Sequence, residues 1–310
     1  MLSRRFLRIK ALKALYGHVC SNEDKLMNTQ KNMLFSIQKS YELYPILMNL
    51  SVEVCKYASM VVERNKNKHI KGDRDENPNM YFVNNRLIRQ IADNELLNKA
   101  LANSIFTWED SDDIFKKIYN RVIKRDYYNR YISAPDSFEN DKEFLINFYR
   151  KEIEDFEPLY DRLESCSVYW YDDIEFITSK CITTIVETDD TKGITPFPAY
   201  QNDEDKIFVT NLLSYTISDM EKNIESIKGT LKNWEIERVT MMDRLILSMA
   251  MTEINHFPLI PTKVTLDEYI EITKHYSTQN SSTFVNGILD KYLSNLRESG
   301  ELKKTGRGLI

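Results

Sequence analysis

The first thirteen residues carry five basic side chains and no acidic one: Arg4, Arg5, Arg8, Lys10 and Lys13. Guanidinium groups bind phosphate oxygens in a bidentate manner and stack on bases, whereas ammonium groups attract phosphate as point charges. The pattern therefore predicts contacts with a nucleic-acid backbone near the start of the chain. A solvated helix end would give the same pattern, so both interpretations remain open at this point.

A second candidate segment, "STQNSSTFVNGILDK", runs from Ser277 to Lys291. Its aromatic residue, Phe284, follows a polar turn in which Ser281 or Ser282 can cap the next helix. An aromatic ring at an exposed helix start can stack on an unpaired base, which contributes about 1 to 3 kcal/mol per base. Spacing alone instead favours Phe284 as a core residue.

Residue types that support catalysis or metal binding show no comparable grouping. No two of the four cysteines have the CxxC spacing of a zinc or redox site, and the four histidines are scattered. We therefore expect reduced, mostly buried thiols, no metal and no cofactor. An acidic run from Glu152 to Glu157 has the form of a solvated helix face.

The elements that must position these residues are predicted to be helices throughout. Apolar residues recur at helical spacing, alternating strand patterns are rare, and the 310 residues include only 8 Gly and 8 Pro. The fold class is therefore all-α, with enough chain to bury a core. Helices are expected over residues 4–20, 24–63 with a possible break at Pro45, 82–131 with breaks, 141–163 and 169–187.

Three more helices are predicted in the last third of the chain. The first, of about 20 residues from Trp234, has one apolar stripe and a solvated face. Pro258 and Pro261 separate it from the second, in which Glu271 and Lys274 can pair. The third contains Gly287, which we interpret as a point of close approach by another backbone.

The last third of the chain contains an ordered series of residues: Trp234, Arg238, Asp243, Arg244, Ile246, Leu247, Ala250 and Glu253. The series continues through "PTKVTLDEYIEITK" and "SSTFVNGILDK". This pattern resembles the core of the NusB family of transcription antitermination factors. The resemblance covers about residues 205–293 and returns in "RRFLRIKALKALYG" at the N-terminus. Many relatives carry an acidic residue where this chain has Asn280.

The resemblance implies a NusB-like helical bundle of two packed sub-bundles, here with an inserted helical region. It also implies an RNA-binding factor without catalysis that binds boxA-type RNA of ribosomal RNA operons. Its expected partners are NusE, a ribosomal small-subunit protein, and RNA polymerase with other Nus factors. Partner contacts are expected from Asn280 and Asn286. RNA contacts are expected from Arg4, Arg5, Arg8, Lys13, Tyr16, Ser281, Thr283, Phe284 and Lys291.

The domain organisation follows from the resemblance and from the linker "TDDTKGITPFPAYQNDED", which is rich in turn-forming residues. We expect a basic helix at 1–20, a helical insertion or N-terminal elaboration at 21–187, and the linker at 188–204. The NusB-like C-terminal helical domain follows at 205–297, and a disordered basic tail at 298–310. A set of residue pairs at an offset of 64, such as Phe144 and Phe208, indicates either a decayed duplication or chance.

The net charge of −5 and the pI near 5.6 exclude RNA binding through overall charge alone. We therefore expect weak RNA binding by the chain itself and tighter binding with NusE. No apolar stretch is expected to reach the roughly 18 to 20 residues that span a membrane. A cytoplasmic location is favoured, with a mitochondrial presequence as the weaker alternative.

Two functions other than antitermination are known alternatives for a helical chain of this kind. A NusB-like domain also precedes RNA cytosine methyltransferase domains, but the chain ends 19 residues after Lys291 and leaves no length for that enzyme, so we expect none. A helical protein-interaction scaffold with no RNA role remains the alternative.

Overall fold

A computed structural model describes residues 3–21, 25–67, 79–198, 203–231 and 236–309. Every regular element within these ranges is helical, which confirms the all-α prediction. Trp234 lies outside the described residues, as does most of the loop predicted around residue 70. The α-helices are α1 Arg4–Ser21, α2 Leu26–Lys66, α3 Arg86–Ala92, α4 Glu95–Ala102, α5 Asp112–Val122, α6 Asp126–Ser133, α7 Phe138–Glu152, α8 Glu157–Glu164, α9 Ile174–Glu187, α10 Asp203–Ser218, α11 Met220–Thr230, α12 Met241–His256, α13 Thr262–Tyr276 and α14 Ser281–Glu298.

The chain forms two compact units. Unit 1 contains residues 1–37 and 198–310, and unit 2 contains residues 38–197. Unit 1 thus includes the first turns of α2 as well as α1, so its first segment is longer than the predicted 1–20. Whether the units correspond to the predicted functional domains stays a prediction.

In unit 1, helix α12 is the central element. Its ten consecutive residues from Leu245 to Ile254 are all buried, and α1, α10, α11, α13 and α14 pack around it. The prediction of one apolar stripe with a solvated face was therefore wrong, because a helix surrounded by other helices is buried on every side. The helix also begins later than predicted, at Met241, where the Thr240 hydroxyl caps the amide of Asp243.

Unit 2 has its own core, built largely from aromatic side chains. Phe144 on α7 stacks on Tyr131 at 4.4 Å and lies edge-on to Phe82 at 5.1 Å. Trp170 is fully buried, and its indole N–H donates to the carbonyl of Lys39 at 2.7 Å. Such contacts bury large apolar surface while satisfying the polar end of the indole, so unit 2 has an independent core.

The helices of the two units show the spacing of an internal repeat. Helices α7, α8 and α9 begin at residues 138, 157 and 174, and α10, α11 and α12 begin at 203, 220 and 241, which gives offsets of 65, 63 and 67. Asp141 and Asp205 are both buried, and each pairs with an arginine, Arg86 at 3.5 Å and Arg4 at 3.0 Å. These parallels favour the duplication over chance, and the duplication stays a prediction.

The tail predicted to be disordered is packed against the loop after α12. Gly300, at φ +71°, ends α14 in a turn in which the amide of Glu301 donates to the carbonyl of Leu296 at 2.9 Å. The amide of Thr305 then donates to the carbonyl of Pro258 at 3.1 Å, and a short 3₁₀ helix follows at Gly306–Leu309. The prediction of disorder was wrong because glycines allow the close backbone approach that docks this segment.

Replacing Gly308 with alanine is expected to detach this tail without unfolding unit 1. A Cβ at this position would lie 1.9 Å from the carbonyl oxygen of Pro258, a clash with backbone that no side-chain rotation relieves. Hydrogen exchange should show loss of protection at the amides of Thr305 and Gly308, with α12 unchanged. Exchange at these two amides like that of the wild type would contradict the expectation, and Arg307→Ala on the exposed side is the control.

By its length and composition alone, helix α2 could cross a membrane. No segment of that kind was predicted from the sequence. Its most apolar window has a mean hydropathy of 1.2, and 56% of that window is buried inside the structure. Core helices of soluble proteins pass the same test, because apolar residues that face a protein core raise hydropathy as lipid-facing ones do. The finding is therefore weak evidence for a membrane span.

Candidate nucleic-acid interface

Arg8 forms a buried ion pair with Glu253 of α12. The guanidinium donates to both carboxylate oxygens at 2.7 and 2.8 Å, and the arginine is 2% exposed. Hydroxyls of Thr265 and Tyr269 donate to the same carboxylate at 2.8 and 3.3 Å. Burial alone would lower the pKa of Arg8, but the Glu253 carboxylate outweighs it, so the net shift is upward.

The predicted RNA contact of Arg8 is therefore corrected. Both carboxylate oxygens of Glu253 already have their donors, and the guanidinium lies in the core rather than on the surface. An arginine in this position joins α1 to α12 and α13, and it has no face open to a phosphate. Sequence periodicity could not reveal this, because the partner carboxylate lies 245 residues away.

Arg4 and Arg5 lie on the surface at the start of α1, and each has a carboxylate partner. Arg5 donates to Glu268 of α13 at 2.7 and 3.0 Å, and this hydrogen bonding raises its pKa. Arg4 pairs with Asp205 of α10 at 3.0 Å. Their side chains remain 46% and 44% exposed. Both guanidiniums thus keep solvent-facing N–H groups beside their ion pairs.

The contacts of α1 with α13 set the direction of the two helices. Arg5 contacts Glu268, and the Lys13 ammonium lies 5.6 Å from the centre of the Tyr276 ring. Since the contacts advance by eight residues along both helices, α1 and α13 run parallel and in register. Tyr16, nearly one turn after Lys13, is therefore at the level of the polar turn at 277–280 that follows α13.

This turn is held by Asp243, a buried residue of α12. Hydroxyls of Ser277 and Ser281 donate to its two carboxylate oxygens at 2.7 and 2.9 Å. Ser281 is only 4% exposed. The predicted RNA contact of Ser281 is therefore corrected, because its hydroxyl is used inside the protein. The expected side-chain cap is also absent at the helix start, since the N-cap position is Asn280 and its side chain makes no capping bond.

The remaining candidates on α14 differ in exposure. Asn280 and Thr283 are exposed, whereas Phe284 is half-buried and has an interaction within the protein. Asn286 is also half-buried and donates to Asp290, one turn later, at 3.1 Å. The structure thus places Asn280, Thr283, Phe284 and Asn286 at one helix start, directly after the polar turn at 277–280. Their contacts with RNA or a partner stay predictions.

Lys291 serves another part of the fold. Its ammonium donates at 3.2 Å to the carbonyl of Thr230, the last residue of α11. A cation at this position satisfies an unpaired carbonyl and complements the negative end of the helix dipole. The predicted RNA contact of Lys291 is therefore replaced by a contact that fixes α11.

Gly287 is exposed, and a Cβ built on it would meet nothing within 4 Å. The prediction that another backbone of this chain approaches it closely was wrong. Glycine in an exposed helix interior lowers helix stability by about 1 kcal/mol relative to alanine. In this chain no contact of Gly287 with another part of the protein compensates for that loss. The bare helix surface is available to a molecule outside the chain.

Gly287→Ala is therefore expected to stabilise unit 1 by about 0.5 to 1 kcal/mol, because it restores helix propensity without a clash. Hydrogen exchange of α14 amides should slow accordingly. Gly17→Ala on α1, where the added Cβ also meets nothing within 4 Å, is the matched control. Faster exchange in the Gly287→Ala variant would contradict the open geometry.

Comparison with known proteins supplies the family. The family model described as NusB family matches residues 185–294, which include α10 to α13 and most of α14. The transcription antitermination protein NusB of Salinibacter ruber (strain DSM 13855 / M31) is 45% identical over 113 residues, which are 36% of this chain and 71% of that protein. The chain belongs to the NusB family.

Two further NusB proteins also match part of the chain. That of Chloroherpeton thalassium is 35% identical over 119 residues, covering 38% of this chain and 56% of that protein. That of Pseudothermotoga lettingae is 49% identical over 67 residues, covering 22% of this chain and 48% of that protein. No solved structure matches the chain significantly. The NusB match excludes α1 and almost all of unit 2, so the role of α1 rests on its packing in unit 1.

The sequence interpretation named Asp243 and Glu253 only as members of the family motif, and it missed the contacts by which acidic residues organise the NusB-like core. Asp205, Glu253 and Glu268 each bind an arginine of α1, and Asp243 holds the turn. Asp243 and Glu253 are both buried and lie on a helix that is otherwise rich in apolar residues. A buried position of this kind is unusual for a carboxylate. That signal predicts an internal partner, although only the structure identifies it.

Proposed function

We propose that this NusB-family protein binds boxA-type single-stranded RNA of ribosomal RNA operons together with NusE. In this proposal the complex acts on RNA polymerase with other Nus factors in transcription antitermination, without a catalytic step. The observation that carries the proposal is the parallel packing of α1 on α13. That packing sets Lys13 and Tyr16 of α1 at the level of the turn that leads into Thr283 and Phe284.

These side chains suit an unpaired RNA strand. Tyr16 is 43% exposed, and Phe284 keeps part of its ring accessible at a polar helix start. Aromatic rings of this kind stack on bases that are not paired, while neighbouring hydroxyls and ammonium groups contact sugar and phosphate. We call Lys13, Tyr16, Thr283 and Phe284 the turn surface.

Arg4 and Arg5 would serve as a separate phosphate contact. Tyr16 follows Arg4 by twelve residues, so the two lie about 18 Å apart along α1 at 1.5 Å per residue. A bound strand that reaches both would run along α1. Each arginine would then share its N–H groups between a carboxylate of this chain and a phosphate.

NusE is the proposed protein partner, and Asn280, Asn286 and the bare surface at Gly287 are its proposed contacts. The net charge of −5 opposes binding of a polyanion, so we expect RNA affinity to rise when the partner is present. Gel-shift titration of boxA RNA at fixed salt, with and without NusE, tests this. Equal affinities in the two titrations would contradict cooperative binding.

One observation favours the scaffold alternative. The three arginines of α1 all have carboxylate partners inside unit 1, which is what a purely structural helix would show. The variant Arg5→Ala combined with Phe284→Ala separates the two functions. Loss of boxA affinity with unchanged circular dichroism supports RNA binding, whereas unchanged affinity supports the scaffold.

A further inference from the structure

Helix α5 in unit 2 carries a concentration of positive charge outside the region that matches the NusB family. The segment from Ile114 to Arg130 contains six basic residues and one acidic residue, Asp126, in a chain whose net charge is −5. The helix begins with Asp112 and Asp113, so the positive charge lies in its second half and just beyond it. The six basic residues are Lys116, Lys117, Arg121, Lys124, Arg125 and Arg130.

The basic side chains share the solvent face of the helix. Lys117 and Arg121 are four residues apart, which places them on one side of the helix, and Lys124 lies in the turn that directly follows it. Lys116, Lys117 and Lys124 are exposed. The opposite face is buried in unit 2 through Ile114, Phe115, Ile118 and Val122. The charges therefore extend over about 12 Å at 1.5 Å per residue.

A buried carboxylate holds the end of this array in place. Glu152 of α7 is fully buried and pairs with Arg121 at 3.0 Å and Arg125 at 2.9 Å. Both guanidiniums also donate to the main-chain carbonyl of Lys151, at 3.2 and 3.4 Å. Lys151 is exposed beside them, and its ammonium lies 5.6 Å from the centre of the Tyr127 ring, so we include it in the array. The two arginine side chains remain 32% and 43% exposed. We call Lys116, Lys117, Arg121, Lys124, Arg125 and Lys151 the basic strip.

The charge of the basic strip is only partly balanced inside the protein. Glu152 accounts for one of its six charges, and within the described residues no ion pair is recorded for Lys116, Lys117 or Lys124. The nearest acidic residues along the chain are Asp112 and Asp113, one turn before Lys116 and Lys117, and Asp126, two residues after Lys124; all three are exposed. Lysines dispersed over a surface are ordinary. A row of six cations in which a buried carboxylate holds two, by contrast, is complementary to a polyanion with regularly spaced charges.

We propose that the basic strip binds the phosphate backbone of RNA, as a second and sequence-independent contact supplied by unit 2. This inference rests on the proposed RNA binding of unit 1, and it gives unit 2 a role in holding the transcript. Lysine and arginine contacts of this kind add affinity by releasing counterions and do not read bases.

The test compares two triple variants of the full chain. Lys116→Gln, Lys117→Gln and Lys124→Gln remove charge from the basic strip. Lys56→Gln, Lys99→Gln and Lys192→Gln remove the same charge elsewhere in unit 2. Binding of polyuridine, and of boxA RNA with flanking sequence in the presence of NusE, is titrated over a range of salt concentrations.

The basic-strip variant should bind both RNAs about five- to tenfold more weakly, and its salt slope should fall by about 2, because each lost contact with single strands removes about 0.7. The control variant should retain most of the affinity and slope. Equal effects in the two variants would overturn the inference, since overall charge would then explain the loss. Wild-type affinity in the basic-strip variant would overturn it while leaving the proposed function intact. Absence of RNA binding by the wild type would overturn both.

Discussion

Arg8→Ala is expected to lower the free energy of unfolding of unit 1 by about 3 to 5 kcal/mol, because it leaves the buried Glu253 carboxylate without its cation. Thr265 and Tyr269 would still donate to that carboxylate, but they carry no charge. Hydrogen exchange of the α12 amides, which surround Glu253, measures the loss directly. The same change in an exposed pair should cost less than about 1 kcal/mol, so Arg5→Ala is the matched control.

The double variant Arg8→Met with Glu253→Leu separates charge from packing. Replacing both members of a buried pair with apolar residues of similar size is often neutral, since it removes the desolvation cost together with the attraction. We expect this variant to recover part of the stability lost in Arg8→Ala, because the hydroxyls of Thr265 and Tyr269 lose their acceptor. Similar exchange rates in Arg8→Ala and Arg5→Ala would contradict the structural role assigned to Arg8.

Tyr16→Ala combined with Phe284→Ala is expected to weaken binding of boxA RNA about 100-fold in the presence of NusE. Each ring is proposed to stack on one base, and loss of a stacked aromatic typically costs about tenfold or more. Fluorescence anisotropy with labelled boxA RNA at constant salt measures the change. The salt slope should stay the same, because neither ring contacts phosphate through charge.

The matched control replaces two aromatic residues that are exposed elsewhere, Tyr169→Ala and Tyr171→Ala in unit 2. This variant should bind boxA RNA like the wild type. Phe284 is half-buried, so circular dichroism and hydrogen exchange of α14 must show an intact fold before the loss is assigned to stacking. An affinity within about twofold of the wild type would contradict a role for the turn surface in base stacking.

The sequence predicted the helical fold and the NusB family because both depend on local patterns. Apolar spacing and the ordered motif from Arg238 onward lie within one stretch of chain, and the Glu271–Lys274 pair lies within one helix turn and is confirmed. The start of α12 was placed too early because periodicity does not show where the first hydrogen-bonded turn forms. That position depends on the cap at Thr240.

The candidate site was harder to predict from the sequence. Whether each of its side chains lies on the surface or in the core depends on partners that are far away along the chain. Arg5 and Arg8 are three residues apart on the same helix, yet one is exposed and the other is buried against α12. Ser281 and Thr283 differ in the same way, since Asp243 binds only the first. The basic strip of α5 was not predicted from the sequence. Its basic residues follow no known motif, and only the structure shows that they lie together on the surface.

Photo-crosslinking shows directly whether RNA lies along α1 and the turn before α14. BoxA RNA with 4-thiouridine in place of uridine would be bound to the full chain with NusE, irradiated, digested and analysed by mass spectrometry. We expect crosslinks in peptides that contain Tyr16 and Phe284. Efficient crosslinking confined to other parts of the chain, with neither peptide modified, would contradict this expectation.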